Sequence, residues 1–232
     1  MELRRLTLCC RIKLAKSFCY AKTLYHYLER DIMSFEMFIN VSDELLKNKN
    51  YDPVVVAFAN YFSSMDGKEK IVDEKMFKIY LLETLKLTYY KINKSYEVLF
   101  DNGVFEWVSK KDRQFKINTI KDYFVKVKND TVEKFIDEDQ FYAFKIYCYL
   151  LRQYNIFNKS KAANKFRGEF YQFSYIEIVK AMGYAKSYEQ TEKVKKCLEW
   201  MKDNNLINYD DKAHIAPGYK GSYHPLFAVY QL

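Results

Sequence analysis

The chain has 232 residues, 49% of them hydrophobic and 18% aromatic, enough apolar material for one large core or two small ones. Six glycines and three prolines exclude collagen-like, low-complexity and linker-dominated chains. Lys and Arg outnumber Asp and Glu by 38 to 30, a net charge of +8, which suits an anionic partner, nucleic acid ahead of a membrane surface.

No apolar run reaches the ~18 residues of a membrane span. The cysteines, Cys9, Cys10, Cys19, Cys148 and Cys197, are odd in number and hold no CxxC, which fits a reduced, cytoplasmic compartment.

Residues 1–32 carry three of the five cysteines and seven Lys or Arg against three acids. Arg11, Lys13 and Lys16 interrupt the apolar stretch that a secretory signal needs. The segment reads either as a basic helical arm or as an extension upstream of a start at Met33. The second is preferred, because MSFEMFINVSDELL opens like an ordinary domain.

A first unit is expected over 33–118. Asp52 caps a helix whose first turn takes Pro53 and whose body is VVVAFANYFSSM. After the turn MDGKEK comes a second helix, DEKMFKIYLLETL (73–85), and then a third, TYYKINKSYEVLFDNG (88–103), stopped by Gly103. VFEWV and RQFKIN, joined by SKKD, read as a hairpin. Residues 119–137 read as a polar connecting helix or linker.

Over 138–232 the order returns. EDQFYAFKIYCYLLRQYNIF is an amphipathic helix, and NKSKAANKFRGEF is a basic, turn-rich insertion. FSYIEIVKAMGY has Ser174 to cap it and Gly183 to stop it, and SYEQTEKVKKCLEWMKDNN is a long helix. LINYDD and the tail supply strands and turns.

Two stretches echo each other: KINKSYEVLFDNGVFEW (91–107) and KVKKCLEWMKDNNLINY (193–209). They share Lys91/Lys193, Lys94/Lys196, Glu97/Glu199, Asp101/Asp203 and Asn102/Asn204, and their apolar positions match. The echo falls at the end of the third helix in both orders. The expected fold is therefore mainly α with small β-hairpins (α+β), arranged as two winged-helix (helix-turn-helix) units in tandem.

In such a unit the third helix offers its outer face to the major groove. Val194, Cys197, Leu198 and Met201 share the inward face of the second such helix, which turns Lys195 and Lys196 outward beside Glu192 and Glu199. Lys186, Ser187, Tyr188, Gln190 and Lys193 gather at its start, where partial positive charge favours phosphate. In the first unit Ile92, Tyr96 and Leu99 face inward and Tyr90, Lys91, Asn93 and Lys94 outward. Lys110, Lys111 and Arg113 crowd the hairpin tip, and Lys220 lies in a glycine-rich candidate second wing. These residues are the expected double-stranded DNA contacts.

Catalytic signals are missing from the sequence: there is no GxxxxGK[ST], no GxGxxG, and His26, His214 and His224 form no metal-binding pattern. The expectation is a non-enzymatic protein without cofactor or metal.

YAFKIYCYLLRQY (142–154), FSYIEIVKAMGY (173–184) and the KVKKCLEWM helix together resemble the second winged helix of plasmid replication initiators of the tandem winged-helix class. The first unit with its basic hairpin is similar to that family's first winged helix, and phage replisome organisers of low-GC bacteria look similar. The resemblance covers about residues 40–215. It implies binding to repeated origin sequences, dimer–monomer control through a homodimer, and recruitment of host replication proteins; from the lack of a long apolar run, no membrane partner is expected. The mixed-charge third helix and the first 32 residues depart from the pattern. A transcriptional regulator of a mobile element, or a module that targets a host protein, are the alternatives on the same scaffold.

Overall fold

The computed structural model describes residues 36–64, 71–118, 124–161, 171–210 and 226–229. Residues 1–32, the MDGKEK turn, most of the basic insertion and Lys220 lie outside the described residues.

The chain begins with β1 (Glu36–Asn40) and a one-turn helix, α1 (Asp43–Lys47). Next come α2 (Pro53–Ser64), β2 (Ile71–Asp73), α3 (Glu74–Thr84), α4 (Tyr89–Asp101), β3 (Phe105–Ser109) and β4 (Gln114–Ile117). β5 (Phe124–Lys128) and α5 (Asn129–Asp137) connect to α6 (Phe141–Lys161), β6 (Tyr171–Gln172), α7 (Tyr175–Ala181), α8 (Tyr188–Asp203), β7 (Ile207–Asp210) and β8 (Leu226–Val229). The molecule is mainly helical with small antiparallel sheets, the α+β class.

The order helix, strand, helix, helix, strand, strand runs twice, first from α2 to β4 and again from α6 to β8. The strands of each set pair in the same spatial order: β2–β4–β3 in the first and β6–β8–β7 in the second. Sequence periodicity supplies the helices and outer hairpins but not β2 or β6, which at three and two residues are too short to carry an alternating pattern.

The helix starts obey local chemistry. The side chains of Asp73, Thr88, Ser174 and Ser187 accept backbone N–H groups at the starts of α3, α4, α7 and α8. Ser174 and Glu177 complete a reciprocal capping box. Asp52 Oδ1 takes the Val54 N–H at 3.0 Å just before Pro53 opens α2.

The echoed segments end their helices by one mechanism. After α4, Gly103 turns left-handed at φ 67° and Val104 N–H returns to Leu99 O at 2.9 Å. After α8, Asn205 turns at φ 56° and Leu206 N–H returns to Met201 O at 2.9 Å. Asn102 Nδ2 donates to Val98 O and Asn204 Nδ2 to Trp200 O, so even the side-chain bond is duplicated. Val104 and Leu206 are fully buried, which adds the apolar contact typical of this terminator.

Within the expected connecting helix or linker at 119–137, Asn129–Asp137 is helical (α5), whereas Phe124–Lys128 is a strand. β5 pairs antiparallel with β1, with Ile39 opposite Val125 and Met37 opposite Val127, all four buried. Lys126 and Phe38 face away, the ammonium 5.4 Å from the ring centre. The strand alternates in FVKVK, and α5 then buries Val132, Phe135 and Ile136. The second carbonyl edge of β1 is closed by α2 and its approach: Asn60 Nδ2 donates to Phe38 O at 2.9 Å, and the Tyr51 hydroxyl donates to Asn40 O.

The buried side chains of both halves form one continuous cluster from Met37 to Ile207. α2 packs on α6, and α1 packs on α7.

Candidate nucleic-acid interface

The start of α4 is the exposed end of the first repeat. Ile92, Ser95, Tyr96, Val98 and Leu99 are buried, with Tyr96 held edge-on by Phe105 and Phe115. That packing leaves Tyr89, Tyr90 and Lys91 in solvent, Tyr90 at 69% exposure. Lys91 acts electrostatically on Asp52. Asn93 is committed inward, its Oδ1 accepting from Lys78 Nζ at 2.9 Å. Lys94 is paired with Glu97 at 2.6 Å, and that carboxylate holds the Lys94 pKa above the ordinary lysine value.

The β3–β4 tip is shaped by Ser109, whose hydroxyl donates to Asp112 Oδ2 at 2.7 Å and accepts the Asp112 N–H at 3.1 Å. The turn leaves Lys110 and Lys111 exposed, with no ion-pair partner among the described residues.

Arg113 differs from its neighbours. Its Nε and Nη2 both lie 2.8 Å from Glu74 Oε2, and its carbonyl accepts the Glu74 N–H at 2.9 Å. Glu74 is 4% exposed and also takes Lys78 at 2.7 Å. Lys78 rests over the Tyr96 ring at 4.7 Å and reaches Asn93. A continuous polar chain therefore runs from the hairpin base through α3 to α4, and Arg113 anchors the hairpin rather than extending its cationic tip. Sequence reasoning missed Glu74 and Lys78, although a Glu and Lys four apart on a helix is a legible pair.

In the second repeat, Ser187 spends its hydroxyl on the Gln190 N–H at 3.2 Å. Tyr188 projects at 82% exposure, beside exposed Lys186. Gln190 turns inward, its Oε1 buried without a hydrogen-bond partner among the described residues. Lys193 lies 4.2 Å above the Tyr142 ring. Lys195 is paired with Glu192 at 2.7 Å, which holds its pKa above the ordinary value, and lies over Tyr175. Lys196 is exposed with no ion-pair partner among the described residues.

The helix start is thus the chemically open part of each repeat. Tyr90 and Lys91 stand at one, Lys186 and Tyr188 at the other, with Lys110 and Lys111 on the first hairpin and Lys196 further along α8. Unpaired ammonium groups beside a helix N-terminus suit phosphate, and exposed tyrosines suit hydrogen bonding to phosphate oxygens.

Among the described residues no group of His, Cys, Asp or Glu is placed to hold a metal ion, and no helix is long and apolar enough to cross a membrane. No protein-family model matches the sequence, and no curated protein and no solved structure matches the chain.

Proposed function

We propose that the chain is a double-stranded DNA-binding protein of two winged-helix units, acting as a replication initiator of a plasmid or phage. The observation that carries this reading is the duplicated topology. Each repeat has a strand between its first two helices that pairs with the last strand, and each leaves the start of its third helix open. That is the arrangement by which a winged helix inserts its third helix into the major groove and lays its hairpin along the backbone. The initiator role rests on the sequence resemblance, which also implies origin repeats, a homodimer and host replication proteins as partners. The protein acts without catalysis or cofactor on this reading, in the cytoplasm.

Two alternatives use the same scaffold. A transcriptional regulator would bind DNA identically and differ only in the consequence of binding. A module that docks on a host protein is favoured by one observation: Glu97 and Glu192 neutralise Lys94 and Lys195 on the outer faces of the third helices.

Hydroxyl-radical footprinting on a duplex selected from a random pool tests the proposal. Two protected stretches about one turn, ~34–36 Å, apart are expected. Protection confined to one groove would remove two-unit binding, and failure to select any duplex would favour the protein-docking alternative. A plasmid carrying the selected site and this gene replicates autonomously if the initiator role is right.

A further inference from the structure

The first repeat is preceded by α1, and the second repeat grips this short helix and its end by polar contact. Arg152 of α6 pairs with Asp43 at its start. Lys145, about two turns further back on the same face of α6, donates to Asn48 O at its C-cap at 2.7 Å. Lys145 is only 6% exposed; Asp52 faces it electrostatically and the Tyr51 ring lies 5.7 Å away.

The third contact is backbone against backbone. Gly183, at φ 79° after α7, sits so near Lys47 that a Cβ there would lie 1.9 Å from its carbonyl oxygen. Beside it, Tyr184 stands edge-on to Tyr142 with centroids 6.0 Å apart. Lys49 covers the Tyr184 ring at 5.0 Å, and Lys193 of α8 covers Tyr142 at 4.2 Å. The row Lys49–Tyr184–Tyr142–Lys193 connects the segment after α1 to the probe helix of the second repeat. Contacts at the start, the last residue and the cap of α1 oppose rotation about any single one of them.

We propose that α1 and its cap are an orientation lock between the two repeats, so that Lys145, Arg152 and Gly183 determine which half-site spacing the protein accepts. The spacing part rests on the DNA-binding reading; the lock itself does not. Two probes held rigidly engage one duplex together only when the groove separation matches, whereas loosely joined probes tolerate a mismatch.

The lock is tested by single-molecule energy transfer in the full chain, with dyes on non-canonical residues at exposed positions 101 and 199 on the two third helices. The wild type gives one narrow distance distribution. Gly183→Ala broadens it, and so does the double variant K145M/R152A, which keeps the aliphatic volume at 145 and decides the matter if the glycine variant does not fold. A wild-type distribution as broad as that of the variants, or a narrow one in folded K145M/R152A, overturns the lock.

The second arm measures affinity for the selected duplex with and without an insertion of about 5 base pairs, half a turn. The wild type loses about tenfold or more and K145M/R152A about threefold or less. Equal losses overturn the assignment of these residues to spacing. A wild type that binds no duplex removes the DNA reading, while the distance measurement still decides the lock.

Discussion

Lys145 carries an ammonium group into the junction between the repeats, and burial pulls its pKa down to about 8 although Asp52 opposes the shift. In an unfolded chain the same group titrates near 10.4. A lowered lysine pKa costs stability while the group is charged in the native state, and the cost fades as pH rises through the window from 8 to 10.4, because the unfolded chain then binds more protons than the native one. Lys145→Met removes that titration. From pH 7.5 to 10, urea melts are expected to show the wild type gaining about 2–3 kcal/mol relative to K145M. A constant difference would mean that the ammonium titrates as it does in water.

Glu74 is the other residue whose surroundings set its role, since it holds Arg113 and Lys78 at once. Glu74→Ala is expected to cost about 2–3 kcal/mol in chemical melts, the range for hydrogen bonds to a charged group, because Glu74 is buried while its partner Arg113 is largely exposed. A loss below about 1 kcal/mol would match an exposed pair instead. Glu74 and Lys78, four apart on one helix, are legible as a pair; the long-range partners are not. Arg113 looks like Lys110 and Lys111 in the string SKKDR, and its partner lies 39 positions away. The acceptor for Lys145 lies 97 positions away.

At the scale of elements, the starts and stops of helices are the most legible features, because they depend on residues within a few positions of one another. Thr88, Ser174 and Ser187 cap where their side-chain chemistry says they should, and Gly103 and Gly183 take the left-handed turns. Gly103 offers a clean measurement, since a Cβ there would meet nothing within 4 Å. Gly103→Ala is therefore expected to cost about 1–2 kcal/mol from backbone strain alone. A cost near zero in thermal melts would mean that the turn is not held left-handed.

The short strands lie beyond sequence reading. FVKVK offers five residues of alternation among polar neighbours, too few to separate from a turn of helix, and β2 and β6 acquire strand geometry from β4 and β8 rather than from their own pattern. The hairpin tip carries its own prediction. K110A/K111A is expected to lower affinity for duplex DNA and to make the salt dependence shallower by about 2 in log–log slope. An unchanged slope would remove the tip from the interface.

For the molecule as a whole, the repeat is visible in sequence because the terminators of the third helices retain matching residues: Asn102 and Asn204, Leu99 and Met201, Val104 and Leu206. How the repeats join is not visible, since Arg152 and Asp43 meet across 109 positions and the shared core is assembled from both halves. On the proposed DNA-binding reading, this joined body presents two cationic probes to one duplex. The most direct test is the affinity for a random-sequence duplex as a function of salt. Lys91, Lys110, Lys111, Lys186 and Lys196, each neutralising one phosphate, predict a log–log slope of about −4 or steeper. A slope near zero would contradict the account.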